Sequence, residues 1–497
     1  MKTSKIHVIK FGGTSLKNER YIKQATKIVD KRNKEAQLAV VVSAIDGVTD
    51  SLINLAEHPG RFELIDKIEQ RHFDLYHKLS ANRNGEYISL KQLFDELRQV
   101  VQDEDLRSIN FSAWKDHILS FGERAVAVIF SAVLSAHSVS SEPVMAFKII
   151  KTNSRFNEAR VDREQSRQLI RRKLARMSAL PVITGFIGSD KNGAITTLGR
   201  SGSDYTAGLI AGALDAERLE IWTDVDGVLS ADPRWVPGAK NISELSFADI
   251  EELSAHGANV IHPKTIKPVR NCSTSVIIKN SYNPSHAGTA IKRNFPSNGS
   301  LKTITLTGPF VQLKIDDKDT FRLLEELKSL SANWADTFSF KRSSSFEAAR
   351  FLIDQPFFNL KEPQLLQWTE ENDIHFEIKK ELYKVKKFSN CFNDNEQLMS
   401  RIWNLLISRD LQPLQVERNS SDRFASFLFS KKEALRAARL FDTYLQNDKK
   451  IIDIFIAGNG AVGSTLLQQL RNLKAKDIEF RLLGICNSKK CLWNEKG

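Results

Sequence analysis

Short apolar runs rich in β-branched residues recur along roughly the first 290 residues, as HVIKF, LAVVVSA, PVITGFIG, LEIWTDV and SVIIKN, with longer amphipathic stretches between them. The runs are apolar at successive rather than alternate positions, which fits strands buried on both faces of a parallel sheet. Strand and helix patterns in alternation predict an α/β fold for this part. From about Leu301 to Lys450 the texture changes: TITLTGPFVQLKI, TFRLLEELKSL, HFEIKKELYKV, DNEQLMSRIWNLLIS and RFASFLFSKKEALRAARLF read as shorter, more charged strands and helices. That pattern predicts an α+β region of two small units. A third texture begins at Ile451, where IDIFIAGNGAVGSTLLQQL gives a strand, a glycine turn and a helix in quick order. No internal repeat of solenoid length is visible.

Composition changes this picture little. A chain of 497 residues is too long for one core, and about three units are expected at the usual size of roughly 100–200 residues each. Hydrophobic residues at 41% and charged residues at 27% are those of a globular protein. The net charge of +12 is spread along the chain, with no basic run interleaved with aromatics, so it reads as a solvated basic surface and not as a nucleic-acid interface. The N-terminal MKTSKIHVIKFGGTS lacks an apolar stretch of signal-peptide length, and no segment reads as an uninterrupted membrane span. A cytoplasmic protein without a membrane partner is expected. Cys272, Cys391, Cys486 and Cys491 show no paired spacing of a zinc site or disulfide framework, and read as reduced structural residues.

Candidate chemistry gathers where apolar strands end. Lys10-Phe11-Gly12-Gly13-Thr14-Ser15 joins a strand to a helix: two glycines let the backbone approach a ligand, the helix start offers N–H groups to phosphate, and Lys10 adds a cation. Taken alone, the motif could be a plain strand–helix turn. Ser43 through Gly47 and Thr49 offer hydroxyls and N–H groups after a second strand, or merely cap a helix. Phe121-Gly122-Glu123-Arg124 is read as opening the apolar helix AVAVIFSAVLSA. Glu123 in its first turn would either cap that helix or meet a substrate ammonium.

The densest segment is Thr184-Gly185-Phe186-Ile187-Gly188 followed by Thr196-Thr197-Leu198-Gly199-Arg200-Ser201-Gly202-Ser203-Asp204-Tyr205. A loop this rich in glycine and hydroxyls is hard to explain without a ligand. Arg200 can clamp a carboxylate in a bidentate fashion, and Asp204 can orient Lys10 or reach a metal through water. Trp222-Thr223-Asp224-Val225-Asp226-Gly227-Val228 and then Asp232-Pro233-Arg234 supply a further turn after a strand. No G-x-x-x-x-G-K-[ST] occurs, which disfavours a P-loop enzyme.

In this order the motifs resemble those of the aspartate kinases of the amino-acid kinase family, over residues 1 to about 290. The resemblance implies a three-layer, mainly parallel sheet with helices on both faces, binding Mg2+-ATP and L-aspartate at its carboxyl edge and forming ADP and 4-phospho-L-aspartate, the first step towards lysine, threonine and methionine. It assigns Lys10 and Asp204 as the catalytic pair, and Ser43, Thr49, Glu123, Phe186, Arg200 and Ser203 as aspartate contacts. Gly12, Gly13, Thr14, Ser15, Thr223, Asp224, Gly227, Val228, Arg234 and Asn259 fall to the nucleotide, the last within GANVIHP (Gly257 to Pro263). The chain departs from many relatives at Asn259, where they carry lysine, and at Ser201, where they carry glycine or asparagine. Lys264 nearby either replaces the missing phosphate contact or is a plain surface lysine. Because the acceptor carboxylate is already ionised at neutral pH, the chemistry needs positioning and charge stabilisation but no general base.

The middle of the chain lies where this family carries paired ACT units. No glycine occurs between Gly308 and Gly458, so a degenerate ACT-like region that has lost its effector is expected. Gly458-Asn459-Gly460-Ala461-Val462-Gly463 has the strand–turn–helix context of a dinucleotide fingerprint, and Lys489 and Lys490 after the next strand point to NADP. This end resembles the start of the dehydrogenase domain in the bifunctional aspartate kinase–homoserine dehydrogenases. The expected domains are therefore residues 1–292 (kinase), 300–448 (ACT-like) and 451–497 (an incomplete NAD(P)-binding domain with a vestigial NADP site and no oxidoreductase activity). The resemblance suggests a homo-oligomer. Two alternatives remain: a non-catalytic partner or regulatory subunit, and an amino-acid kinase acting on glutamate or a carbamate.

Overall fold

The computed structural model describes residues 5–79, 84–257, 261–293, 303–330, 338–342, 348–388, 396–418, 424–445, 450–458, 460–472 and 478–493. The chain divides into two compact units: Met1–Leu229 with Asn241–Gly299, and Ser230–Lys240 with Ser300–Gly497.

The strands of the first unit, in chain order, are β1 (Ile6–Phe11), β2 (Gln37–Val42), β3 (Ser141–Val144), β4 (Lys151–Thr152), β5 (Val161–Asp162), β6 (Leu180–Thr184), β7 (Ile187–Ser189), β8 (Ile195–Thr197), β9 (Arg218–Thr223), β10 (Glu244–Ser246), β11 (Ser275–Asn280) and β12 (Thr289–Lys292). Eight of them form one sheet in the order β10, β12, β11, β9, β1, β2, β6, β3, parallel except where β11 meets β12. β5, β4, β7 and β8 form a small second sheet. The apolar runs account for the main sheet: residues 38–42 and 180–184 are buried at every position, as strands covered on both faces require. Register then places the chemistry. Phe11 pairs with Val42 and Trp222, and Val42 with Thr184, so the turns after β1, β2, β6 and β9 leave the sheet at one edge.

One face of the sheet packs on helix Phe111–Ala136, where Phe11 meets Phe130 at a ring separation of 5.8 Å. This helix is 26 residues long with a mean hydropathy of 1.6 over its most apolar window, so by length and composition it could cross a membrane, contrary to the sequence expectation. Since 94% of that window is buried inside the protein, the helix serves as the core of an α/β unit. Its start, too, differs from the expectation. Asn110 caps it by accepting from the backbone of Ala113, so Glu123 lies in mid-helix and feels no N-terminal dipole.

The second unit contains β13 (Ile304–Asp316), β14 (Phe338–Arg342), β15 (Ala348–Asp354), β16 (Phe376–Phe388), β17 (Gln415–Arg418) and β18 (Phe424–Ser430), an antiparallel sheet in the order β14, β15, β13, β16, β18, β17. It buries two apolar clusters, one around Val311, Leu313, Leu323 and Phe351, the other around Val385, Ile402, Phe427 and Phe441. Ala231 and Val236 join the latter cluster, Ser230 donates to Asp442 at 2.9 Å, and Arg439 donates to the carbonyl of Trp235 at 3.1 Å. The first unit is thus discontinuous in sequence, because residues 230–240 find their apolar partners elsewhere. Beyond the sheet, β19 (Lys450–Ala457) runs parallel to β20 (Ile478–Cys486) with helix Ala461–Asn472 between them, and β21 (Cys491–Trp493) turns back along β20.

Candidate active site

At the carboxyl edge of β1, β2 and β6 an open cleft of about 530 Å³ is lined by Lys10, Ser43, Thr49, Glu123, Phe186, Arg200, Ser203 and Asp204. These are the residues that the sequence nominated for catalysis and for the acid substrate, brought together from five separate segments. A second cleft of about 620 Å³ opens at the amino ends of β1, β2 and β6, and its one charged lining residue, Arg171, is already paired with Asp215. Convergent polar groups therefore favour the first.

Lys10 is nearly buried at the end of β1, and its Nζ lies 2.5 Å from Oδ1 of Asp204. Asp204 occupies the first turn of helix Gly202–Ala213, where the dipole favours an anion, so the pair rests on two rigid elements. After β1 the chain can turn only without a side chain: a Cβ on Gly13 would stand 2.9 Å from the carbonyl oxygen of Ala44. A Cβ on Gly12 would sit 3.4 Å from Lys10 Nζ, in the space that an anion beside that cation needs.

Glu123 reaches the cleft from below. Gly122 lets its helix pass against the loop after β2, since a Cβ there would lie 2.8 Å from that of Ala44. The Glu123 carboxyl is fully buried, and among the described residues its Oε2 has no hydrogen-bond partner. Burial pushes its pKa up to about 8, against the opposing influence of the Ala44 N–H and of Lys10. Arg124 turns the other way. It grips Glu96 with two bonds, at 3.0 and 2.5 Å, and holds helix Asn84–Gln102 against helix Phe111–Ala136. Burial raises Glu96, but its bonds to His117 and Arg124 outweigh that and bring it down to about 2.

The opposite wall carries two residues in left-handed backbone. Phe186 has φ 68° and Ser201 φ 56°. A bulky aromatic seldom adopts this region, and such conformations concentrate at functional sites. The φ of Ser201 also explains in physical terms why glycine or asparagine suits that position better. Arg200 is exposed at the cleft and, among the described residues, has no ion-pair partner. Ser203 packs its Cβ on Gly185, where any side chain would collide at 2.5 Å.

Other nominated residues lie apart from this cleft. The Ser15 hydroxyl is committed to Ser281 at 2.8 Å, and the Thr14 carbonyl accepts from Tyr282 at 2.9 Å. Thr223 ends β9 and Asp224 follows it, beside the glycine turn where Gly12 N–H donates to the Trp222 carbonyl, and the two are bonded to each other at 3.1 Å. Gly227 and Val228 are enclosed: the Val228 N–H donates to Thr289 Oγ1 at 2.8 Å, so these two residues shape the turn and offer no free donor. Arg234 is ion-paired with Asp232 on the segment that belongs to the second unit. Asn259 lies outside the described residues. Lys264, the suggested replacement cation, is paired with Glu158 at 2.7 Å. In the second unit Gly458 takes φ 106°, and a Cβ on Gly463 would stand 2.1 Å from the Gly458 carbonyl, the close approach of helix to strand that a fingerprint turn requires. Asn459 lies outside the described residues.

Sequence reasoning did not single out Asp46, Lys115 or Asn157, which also line the cleft. Lys115 falls one helical stripe from Glu123, at the i, i+4, i+8 spacing through Leu119, a signal that was available in the sequence.

A sequence model described as the amino acid kinase family matches residues 5–280. The chain is 29% identical to the bifunctional aspartokinase/homoserine dehydrogenase of Haemophilus influenzae, an alignment covering 99% of this chain and 63% of that protein. It is 36% identical to lysine-sensitive aspartokinase 3 of Escherichia coli over 58% of this chain and 64% of that one. It thus spans less than two thirds of the length of these relatives. Among solved structures, E. coli aspartokinase III in complex with lysine and aspartate aligns at a TM-score of 0.75 and 27% identity, covering 89% of this chain and 100% of that chain. The same enzyme with aspartate and ADP gives 0.69 and 26%, over 88% and 98%. With over half of its length matched by the family's sequence model and its fold shared with these structures, the chain belongs to the amino acid kinase family.

Proposed function

We propose that this chain is a cytoplasmic aspartate kinase, transferring the γ-phosphoryl group of ATP to the side-chain carboxylate of L-aspartate and so opening the route to lysine, threonine and methionine. The observation that carries the reading is a cleft presenting Arg200 and a buried Glu123 oxygen, both without a partner among the described residues, together with the Lys10–Asp204 pair. Arg200 suits the α-carboxylate, and Glu123 suits the ammonium, which would restore the charge that burial disfavours. The remaining carboxylate then faces Lys10, where negative charge gathers as the phosphoryl group moves. The space above Gly12 and Gly13 fits the phosphates. Mg2+ carried by those phosphates would supply charge neutralisation, with Asp204 the carboxylate available to it through water. The likeness to an aspartokinase solved with aspartate and ADP supports the same reading.

The test is hydroxamate trapping of aspartyl phosphate from the purified chain with Mg2+-ATP, with glutamate as the control acid. Product with aspartate alone is expected. A folded protein that yields none would favour the partner-subunit alternative, towards which the committed Lys264 points. For the second unit we infer a degenerate ACT-like region: the turn from β13 into helix Thr320–Leu330 is made by Asp317–Asp319, without a glycine to admit an effector. Strong inhibition by threonine or lysine would contradict this. The Gly458–Gly463 turn, with exposed Lys489 and Lys490 after β20, is read as a vestigial NADP site.

A further inference from the structure

Helix Phe111–Ala136 carries a second carboxylate, seven residues before Glu123 and so on the same side of the helix two turns earlier. Asp116 is wholly buried and does not line the cleft. Its Oδ2 accepts the backbone N–H of Thr197 at 2.7 Å and that of Asn157 at 2.9 Å, and its Oδ1 accepts the Thr197 hydroxyl at 2.8 Å. Both partners line the cleft, Thr197 at the end of β8 and Asn157 in the turn between β4 and β5, and the two segments touch through Ala159 N–H and the Thr197 carbonyl at 2.9 Å. Asn157 stands at φ 67°, a left-handed conformation that asparagine tolerates, so its N–H is turned to the carboxylate without strain. Arg200 follows Thr197 by three residues, with Leu198 tied to the Phe186 carbonyl at 2.8 Å.

We propose that Asp116 is a positioning residue for the acid substrate: it fixes the Arg200 loop against the helix that bears Glu123, and so sets the span between the groups that hold the substrate's carboxylate and ammonium. The proposal rests on the aspartate kinase reading. A buried carboxylate with three donors and, among the described residues, no salt-bridge partner is costly to maintain in a core, and an apolar side chain would fill the same volume at less expense. What the carboxylate adds is a defined geometry between the end of β8 and the Asn157 turn, both outside the main sheet that carries the helix of Glu123.

Asp116→Asn keeps the shape but replaces a charged acceptor by a neutral amide oxygen, which holds the two backbone N–H groups that share Oδ2 less strongly; Thr197→Val removes only the hydroxyl contact. Both are compared with the wild type, as the full chain, by amide hydrogen exchange and by hydroxamate kinetics. In Asp116→Asn, exchange at Asn157 and Thr197 is expected to rise at least about tenfold while β1 and β9 are unchanged. The KM for aspartate should rise about 10- to 100-fold, with that for Mg2+-ATP within about twofold. The Tm should fall by no more than about 5 °C. Thr197→Val should move exchange and aspartate KM in the same direction by about threefold. An unchanged aspartate KM in folded Asp116→Asn, or a parallel loss for both substrates with exchange rising throughout, overturns the proposal, the latter pattern marking an ordinary core residue. A wild type that forms no aspartyl phosphate sinks the kinase reading itself, and the substrate role of Asp116 with it.

Discussion

Two glycine turns in this chain follow a parallel strand and open a helix, and they differ in everything around them. After β1, Gly12 and Gly13 sit beside a buried lysine paired with Asp204, while Glu123 and Arg200 arrive from segments more than a hundred residues away. After β19, Gly458 and Gly463 make another close turn, yet residues 461–471 of the helix that follows are exposed or half-buried, with Val462 85% exposed. A glycine turn supplies backbone geometry alone. Chemistry comes from the charges delivered to it: the first turn receives a buried lysine–aspartate pair, whereas the lysines after β20, Lys489 and Lys490, are exposed.

The contrast should break most visibly at Lys10. Lys10→Ala is expected to cut aspartyl phosphate formation by about 10³-fold or more, with the circular dichroism spectrum intact because Asp204 keeps its place at a helix start. An active, folded variant would remove the first turn's claim to chemistry.

Next in size is Glu123→Gln, which should raise the KM for aspartate about 100-fold, read in the same assay. Glu123 carries a folded pKa of about 8 against an ordinary value of 4.5. Its neutral form favours the folded state, so that contribution is complete below about pH 4.5 and is lost as the pH climbs to about 8. The wild type should therefore lose stability across that window, and the glutamine variant should gain on it by about 2–4 kcal/mol at pH 8, measured by urea unfolding. A constant difference between the two proteins from pH 5 to 8 would contradict the buried, uncharged carboxyl.

The smallest effects sharpen the comparison itself. Gly13→Ala places a methyl 2.9 Å from the Ala44 carbonyl and should lower kcat/KM about 10- to 100-fold, whereas a Cβ on Gly460 meets nothing within 4 Å. Gly460→Ala should leave turnover unchanged and stability within about 0.5 kcal/mol.

The sheet was legible because β1, β2, β6, β9 and β11 each carry apolar residues at adjacent positions, and so on both faces, the pattern of buried parallel strands. The cleft residues were legible because their glycines and hydroxyls contradict a plain loop. The place of Glu123 in mid-helix was missed because the helix begins ten residues earlier, in the polar FSAWKDH, behind an asparagine cap. The burial of Val228 against Thr289 and the capture of Lys264 by Glu158 depend on contacts 61 and 106 residues away along the chain, beyond the reach of any local pattern. The same holds for Arg124, which looks like part of the FGER motif's chemistry and instead clamps two helices through Glu96.

The excursion at Ser230–Lys240 has a consequence in time. Ala231 and Val236 leave the ribosome before Phe427 and Phe441, the side chains of the cluster they join, have been translated. At about 5–20 residues per second the loop waits roughly 10–40 s for the last of these partners. Throughout that interval Ala231 and Val236 lack the later partners of their cluster, so the segment that interrupts the first unit reaches its final packing only after that unit's own sequence is complete.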